Sequence, residues 1–198
     1  QDFAYYTQQT SDGGYIVAGY TESYGEDAWI VKLQADGNLS WQKKYRGLKA
    51  VHSIQQTSDG GYVLVDSYFS VAKLDQSGNI SWIKSFDDHM EVNPSIQQTS
   101  DGGYIAAGTQ LNNISVIRFD TDGALVWQKT YGGQAFVGKL CIRQNYDGGY
   151  VLAGTKVRSG GSYTGYTDIW VTKLEENGEC VWQKTYIGQN STFANSCL

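Results

Sequence analysis

The tetrad Asp-Gly-Gly-Tyr occurs four times in this chain, beginning at Asp12, Asp59, Asp101 and Asp147. The starts lie 47, 42 and 46 residues apart, and a tryptophan follows each one, at Trp41, Trp82, Trp127 and Trp182. A period of this length means that one supersecondary unit is repeated, and that each copy buries a face against its neighbour.

Each unit reads as four short strands. The first is Tyr6 to Thr10, with counterparts Ser53 to Thr57, Ser95 to Thr99 and Leu140 to Gln144. After the Asp-Gly-Gly turn comes an apolar run, Tyr15 to Gly19, matched by Tyr62 to Val65, Tyr104 to Gly108 and Tyr150 to Gly154. The third strand is Ala28 to Leu33, then Val71 to Leu74, Ser115 to Phe119 and Asp168 to Leu174. The fourth carries Trp41 to Tyr45, Trp82 to Phe86, Trp127 to Tyr131 and Trp182 to Tyr186, with ring, lysine and ring alternating at the strand period of two. No capped amphipathic helical stretch interrupts this pattern.

The second strand is apolar at consecutive positions, so both its faces need cover, as when each sheet lies between two others. The expected fold is therefore all-β: a β-propeller of four-stranded antiparallel meander blades, four of them visible. The units run over about residues 4–47, 51–90, 93–134 and 138–188 of a single domain or fragment, 1–198. Residues 192–198 read as the start of a further strand, because Phe193 to Leu198 aligns with Val137 to Ile142 and sets Cys197 on Cys141. That extra strand favours a piece of a larger ring, or one closed by self-association.

The segments Lys-Leu-x-x-x-Gly-Asn-x-x-Trp at Lys32 to Trp41 and Lys73 to Trp82, with Trp-Gln-Lys-Thr-Tyr at Trp127 and Trp182, resemble repeats of secreted or surface microbial β-propellers. The resemblance covers almost the whole chain. The tryptophan after the Asp/Gly turn is similar to the tryptophan-docking motif of quinoprotein-like propellers, in which the ring locks one blade onto the next. It implies a blade-docking role for Trp41, Trp82, Trp127 and Trp182 and an extracellular or cell-surface location, and it says little about function.

Composition narrows the classes. Charged residues make up 18% and hydrophobic ones 40%, with 24 glycines beside one proline, which is the balance of a folding chain. Aromatic residues at 14% suit many short strands. The net charge of −5, without a Lys/Arg cluster, gives no footprint for nucleic acid or an anionic membrane. No apolar run approaches the roughly 18 residues that span a bilayer, and no signal peptide is evident. Beginning at Gln1, the sequence reads as a processed secreted product or an excised piece. Cys141, Cys180 and Cys197 lack metal-ligand spacing and read as free buried thiols.

Catalysis needs a nucleophile, base or metal cluster in convergent positions, and only His52 and His89 are available as imidazoles. No enzymatic activity and no cofactor are expected. Asp120-Thr121-Asp122-Gly123 has part of the spacing of a calcium loop, but the other three copies vary in carboxylate number and keep the glycine, which is hairpin chemistry. His89, within Asp87-Asp88-His89-Met90-Glu91, reads as solvated loop charge. Paired amides at Gln8-Gln9, Gln55-Gln56 and Gln97-Gln98, with Arg143-Gln144 in the fourth unit, are expected to satisfy backbone groups between blades. Lys43, Lys84, Lys129 and Lys184 fall on the outermost strand and read as guards against edge pairing.

In a meander the first-to-second and third-to-fourth turns share one rim, and the remaining connections form the other. The first rim is nearly identical in every unit, whereas the second varies, as recognition loops on rigid scaffolds do. Its largest insertion, from Lys156 to Thr167, holds Arg158, Tyr163 and Tyr166, and the first unit offers Tyr20, Glu22, Tyr24, Glu26 and Asp27. Rings for stacking and polar groups for hydrogen bonding suit a glycan or protein ligand. The expected function is a noncatalytic extracellular binding or structural module that recognises a glycan, a protein or a neighbouring subunit. The alternatives are a fragment of a quinoprotein-like oxidoreductase, or an assembly scaffold of a surface layer or filament.

Overall fold

The computed structural model describes residues 1–22, 26–86, 94–110, 113–132, 136–157 and 167–187. They form sixteen strands in four antiparallel sheets, and no helix occurs among them. The chain divides into two compact units, Gln1–Asp88 and His89–Leu198, each containing two sheets.

In the first unit, β1 (Asp2–Gln9), β2 (Tyr15–Thr21), β3 (Asp27–Leu33) and β4 (Leu39–Tyr45) form one sheet in chain order. The next is β5 (Val51–Gln56), β6 (Tyr62–Asp66), β7 (Ser70–Leu74) and β8 (Ile80–Ser85). The second unit repeats this with β9 (Ser95–Gln98), β10 (Tyr104–Gln110), β11 (Asn113–Phe119) and β12 (Leu125–Gly132). Its other sheet is β13 (Phe136–Gln144), β14 (Tyr150–Val157), β15 (Thr167–Leu174) and β16 (Cys180–Tyr186). The four sheets are the blades anticipated from the repeat, with most ends a residue or two beyond the expected ones. Residues 192–198 lie outside those described.

One turn recurs at the head of every blade. In the first, Asp12 Oδ1 accepts hydrogen bonds from the Gly14 amide at 3.0 Å, the Thr10 hydroxyl at 2.5 Å and Lys32 Nζ at 3.1 Å. Lys32 lies on β3 with its side chain almost wholly buried, and it also donates to the Leu33 carbonyl at 2.9 Å. Lys73 with Asp59 (2.8 Å), Arg118 with Asp101 (2.5 Å) and Lys173 with Asp147 (2.5 Å) repeat the ion pair. A cation, buried in the first three blades and partly exposed at Lys173 in the fourth, thus ties the third strand back to the turn that opens the second.

These contacts hold the turn carboxyls below the ordinary range. The Lys32 hydrogen bond does most to lower Asp12, Thr99 does most for Asp101, and Lys173 for Asp147. At Asp59 burial pushes the carboxyl up, but bonds from Lys73, Thr57 and the Gly61 amide together outweigh it and hold the group at about 2. A depressed folded-state pKa contributes stability that is present above the unfolded value of about 4 and is lost as pH falls through the folded one. Asp66 has the opposite sign, since burial raises it and its cost is relieved on acidification. We expect Asp59→Asn to lower stability by about 2 kcal/mol at neutral pH, between the surface-pair and buried-pair ranges. Melting curves collected from pH 5 to about 2 should show a shallower acid loss in this variant than in the native chain. Parallel curves would contradict the assignment.

Each unit has its own interface between blades. Ile16, Ala18, Ala28 and Ile30 of the first blade pack with Ile54, Tyr62, Leu64, Ala72 and Leu74 of the second. Ile105, Ala107, Ile114 and Val116 of the third pack with Ile142, Tyr150, Leu152, Trp170 and Leu174 of the fourth. Amides clamp the inner strands: Gln8 Oε1 accepts from the Gln56 amide at 2.9 Å, while Gln56 Oε1 accepts from the Ser11 amide at 2.8 Å. Gln97, Gln144 and Ser100 reproduce both bonds, at 2.9 and 2.8 Å. The glutamines therefore satisfy backbone groups between blades, as the sequence suggests.

The outer-strand lysines are more than edge guards. Lys43 Nζ donates to Asn79 Oδ1 of the next blade at 2.6 Å, and Lys129 pairs with Glu179 of the next blade. The reading of the cysteines as free buried thiols is also corrected, because Cys141 is disulfide-bonded and Cys180 is free but exposed. Cys197 lies outside the described residues.

Candidate functional site

The sequence directs attention to two kinds of residue: tryptophans on the outer strands, and polar and aromatic groups on the variable rim. Two of the four tryptophans, Trp41 and Trp127, pack within the scaffold. The Trp41 ring meets Tyr62 of the next blade edge-on, with centroids 5.9 Å apart and planes at 70°, and Trp127 meets Tyr150 at 6.1 Å and 65°. Beside them, the Tyr45 hydroxyl donates to the Gly78 carbonyl at 2.7 Å and the Tyr131 hydroxyl to the Gly178 carbonyl at 2.6 Å. Trp82 is half-buried, and Trp182 is exposed with Lys184 Nζ 5.7 Å from its ring centroid.

On the variable rim, the structure groups rings that the sequence keeps apart. Tyr20, one residue before the end of β2, pairs with Phe3, and the register shift between Ala4 and Tyr6 places Tyr5 in a bulge. A bulge adds one residue to its strand and re-aims the side chains around it. Phe3 stacks on Tyr20 at 5.0 Å and 13°, Tyr5 stacks on Tyr20 at 5.8 Å and 18°, and Tyr5 stacks in turn on His52 at 4.6 Å and 25°. Gly19 makes room for this, since a Cβ there would lie 1.8 Å from the Phe3 carbonyl oxygen.

Tyr20 is thus largely covered, and its hydroxyl is pushed up to about 12 by desolvation first and then by its hydrogen bond with Tyr5. Phe3 and Tyr5 are the exposed rings of the group, at 40% and 45%. Glu22 sits at the edge, 3.5 Å from the Gln1 backbone nitrogen, with its amide bonded to the Gln1 carbonyl at 2.9 Å. The sequence singled out Tyr20 and Glu22 but missed Phe3, Tyr5 and His52. An aromatic residue at every second position near the chain start was the available signal. Tyr24, Arg158, Tyr163 and Tyr166 lie outside the described residues, as do His89 and its acidic neighbours.

The other candidates are absorbed by local structure. Asp120 Oδ1 accepts from the Asp122 and Ala124 amides at 3.0 and 2.8 Å, so this carboxylate caps its own hairpin. Among the described residues no group of three or more His, Cys, Asp and Glu could hold a metal ion. An open groove of about 520 Å³ runs along Arg118, Trp127 and Glu176 in the second unit. Its cation is engaged by Asp101 and by the Tyr150 hydroxyl at 3.2 Å, and Trp127 Nε1 donates to the Glu176 carbonyl at 3.2 Å.

No family model and no curated protein matches the sequence. Solved structures do match in shape. A protein of unknown function from Bacteroides caccae aligns with a TM-score of 0.64 at 13% identity, over 96% of this chain and 70% of its own. The Pan2 WD40 domain of Neurospora crassa aligns at 0.65 and 13%, over 93% of this chain and 52% of its own. A europium-containing methanol dehydrogenase aligns at 0.59 and 11%, over 97% of this chain and 44% of its own. At such identities the likeness is one of fold. The chain is an all-β protein of four β-propeller blades, and it spans about half the length of the last two neighbours.

Proposed function

We propose that this is a noncatalytic binding module of the β-propeller class, secreted or displayed at a cell surface, whose variable rim recognises a glycan. The observation that carries this reading is the stacked group Phe3, Tyr20, Tyr5 and His52, two of whose rings are exposed beside the Glu22 carboxylate. Phe3, stacked on one neighbour, offers a flat apolar face to a pyranose at little conformational cost, the exposed part of Tyr5 adds contact area beside it, and a carboxylate at the edge accepts hydroxyl hydrogen bonds. The disulfide at Cys141 supports an oxidising compartment, where such bonds persist. WD40 domains among the structural neighbours support a binding or scaffold role in general.

The test is a glycan array probed with the purified chain, followed by titration calorimetry of the sugars retained. Changing Phe3 and Tyr5 together to alanine should weaken binding at least tenfold, at about 1 kcal/mol per ring. The melting temperature should fall only slightly, because both side chains are exposed. An array without hits, or equal affinity in the double variant, would retire the rim assignment. Reconstitution with pyrroloquinoline quinone and an artificial electron acceptor tests the oxidoreductase alternative, and turnover there would overturn the noncatalytic reading.

A further inference from the structure

The interface between blades occurs once in each unit, with the same parts in the same places. On the leading blade, tryptophan, lysine and tyrosine alternate along the outer strand: Trp41, Lys43 and Tyr45, or Trp127, Lys129 and Tyr131. On the following blade they meet a second-strand tyrosine (Tyr62 or Tyr150), a turn glycine (Gly78 or Gly178) and the residue after it (Asn79 or Glu179). A Cβ on Gly78 or Gly178 would come within 2.8 or 3.1 Å of the docked indole.

Each half of this device also occurs with its docking residues exposed. On the last blade, β16 is exposed at every position, with Trp182 at 39% and Tyr186 at 55%. Behind it Val151, Ala153, Ile169 and Val171 are only half-buried, whereas their counterparts in the first blade, Ile16, Ala18, Ala28 and Ile30, are fully covered. On the first blade, Tyr15 is 39% exposed while its counterparts Tyr62 and Tyr150 are buried. A Cβ on Gly37, the counterpart of Gly78, would meet nothing within 4 Å. The same face carries an apolar groove of about 250 Å³ lined by Val17, Trp29 and Val31 among others.

We infer that these two faces dock on each other between copies of the chain, head to tail, with Trp182 of one copy seated against Tyr15 and Gly37 of the next. The occupant follows from complementarity. Lys184 stands where Lys43 does and would meet Asn38, the counterpart of Asn79, while the Tyr186 hydroxyl would reach the Gly37 carbonyl. One tie is missing, because Arg143 replaces the accepting glutamine of the inner strand and donates instead to the Ile142 carbonyl at 3.0 Å. A contact between two different faces is heterologous and closes only if the rotation permits.

Sedimentation velocity over a concentration series tests this. The native chain should associate, and Trp182→Ala should weaken association at least ~30-fold, the effect of losing a central aromatic anchor. Lys184→Glu and Asn38→Lys should each weaken it several-fold. An equimolar mixture of the two variants should recover it, since the carboxylate introduced in one variant then faces the ammonium introduced in the other. Recovery in the mixture is independent of any folding defect in Trp182→Ala. A native chain that stays monomeric, association indifferent to Trp182→Ala, or a mixture no better than its components would each overturn the inference.

Discussion

Gly14→Ala is expected to destabilise the protein by about 3 kcal/mol or more, the cost of forcing atoms into space already occupied by backbone. A Cβ on Gly14 would lie 2.2 Å from the Leu33 carbonyl oxygen and 2.5 Å from Lys32 Nζ. The first of these atoms is fixed by the pairing of Tyr15 with Leu33, so it cannot retreat without opening the sheet. The second is the buried ammonium that anchors the turn. The neighbouring glycine provides the control. Gly13 has φ of +78°, and a Cβ there meets only the Ala35 Cβ at 3.6 Å, so Gly13→Ala incurs conformational strain alone, about 1–2 kcal/mol. Urea denaturation of both variants measures the difference, and equal losses would show that close packing behind the second glycine is not what the turn requires.

That contrast marks how far the fold was legible. The Asp-Gly-Gly-Tyr spacing, the period-two rings on the outer strand and the apolar second strand located all four blades, because turn chemistry and alternation are local signals. The cations on the third strand were not legible. Lys32, Lys73, Arg118 and Lys173 follow their aspartates by 20, 14, 17 and 26 residues, and a lysine in a strand looks the same whether it faces solvent or a turn. Lys43 and Lys129 illustrate this further. Both read as edge guards in the sequence, and both reach into the turn of the following blade. On the rim, Tyr20 is recognisable as an available ring but not as one enclosed by others, since the bulge at Tyr5, which stacks on it beside His52, has no sequence signature.

Tyr150→Ala should cost about 4 kcal/mol, within the range for deleting a fully buried aromatic side chain. Its ring has no exposed surface, lies against Trp127 and sits in the apolar cluster joining the third and fourth blades. Its hydroxyl accepts from Arg118 Nε at 3.2 Å, while the Arg118 side chain itself is almost wholly buried. Two effects therefore act together: loss of packing on Trp127, and loss of a partner for a buried cation. Tyr150→Phe separates them. With the ring retained, only the hydrogen bond is removed, and the loss should be about 1–2 kcal/mol. The signature is then a large gap between the alanine and phenylalanine variants in chemical denaturation. A phenylalanine variant as unstable as the alanine one would mean that the tie to Arg118, not the docked rings, holds these two blades together.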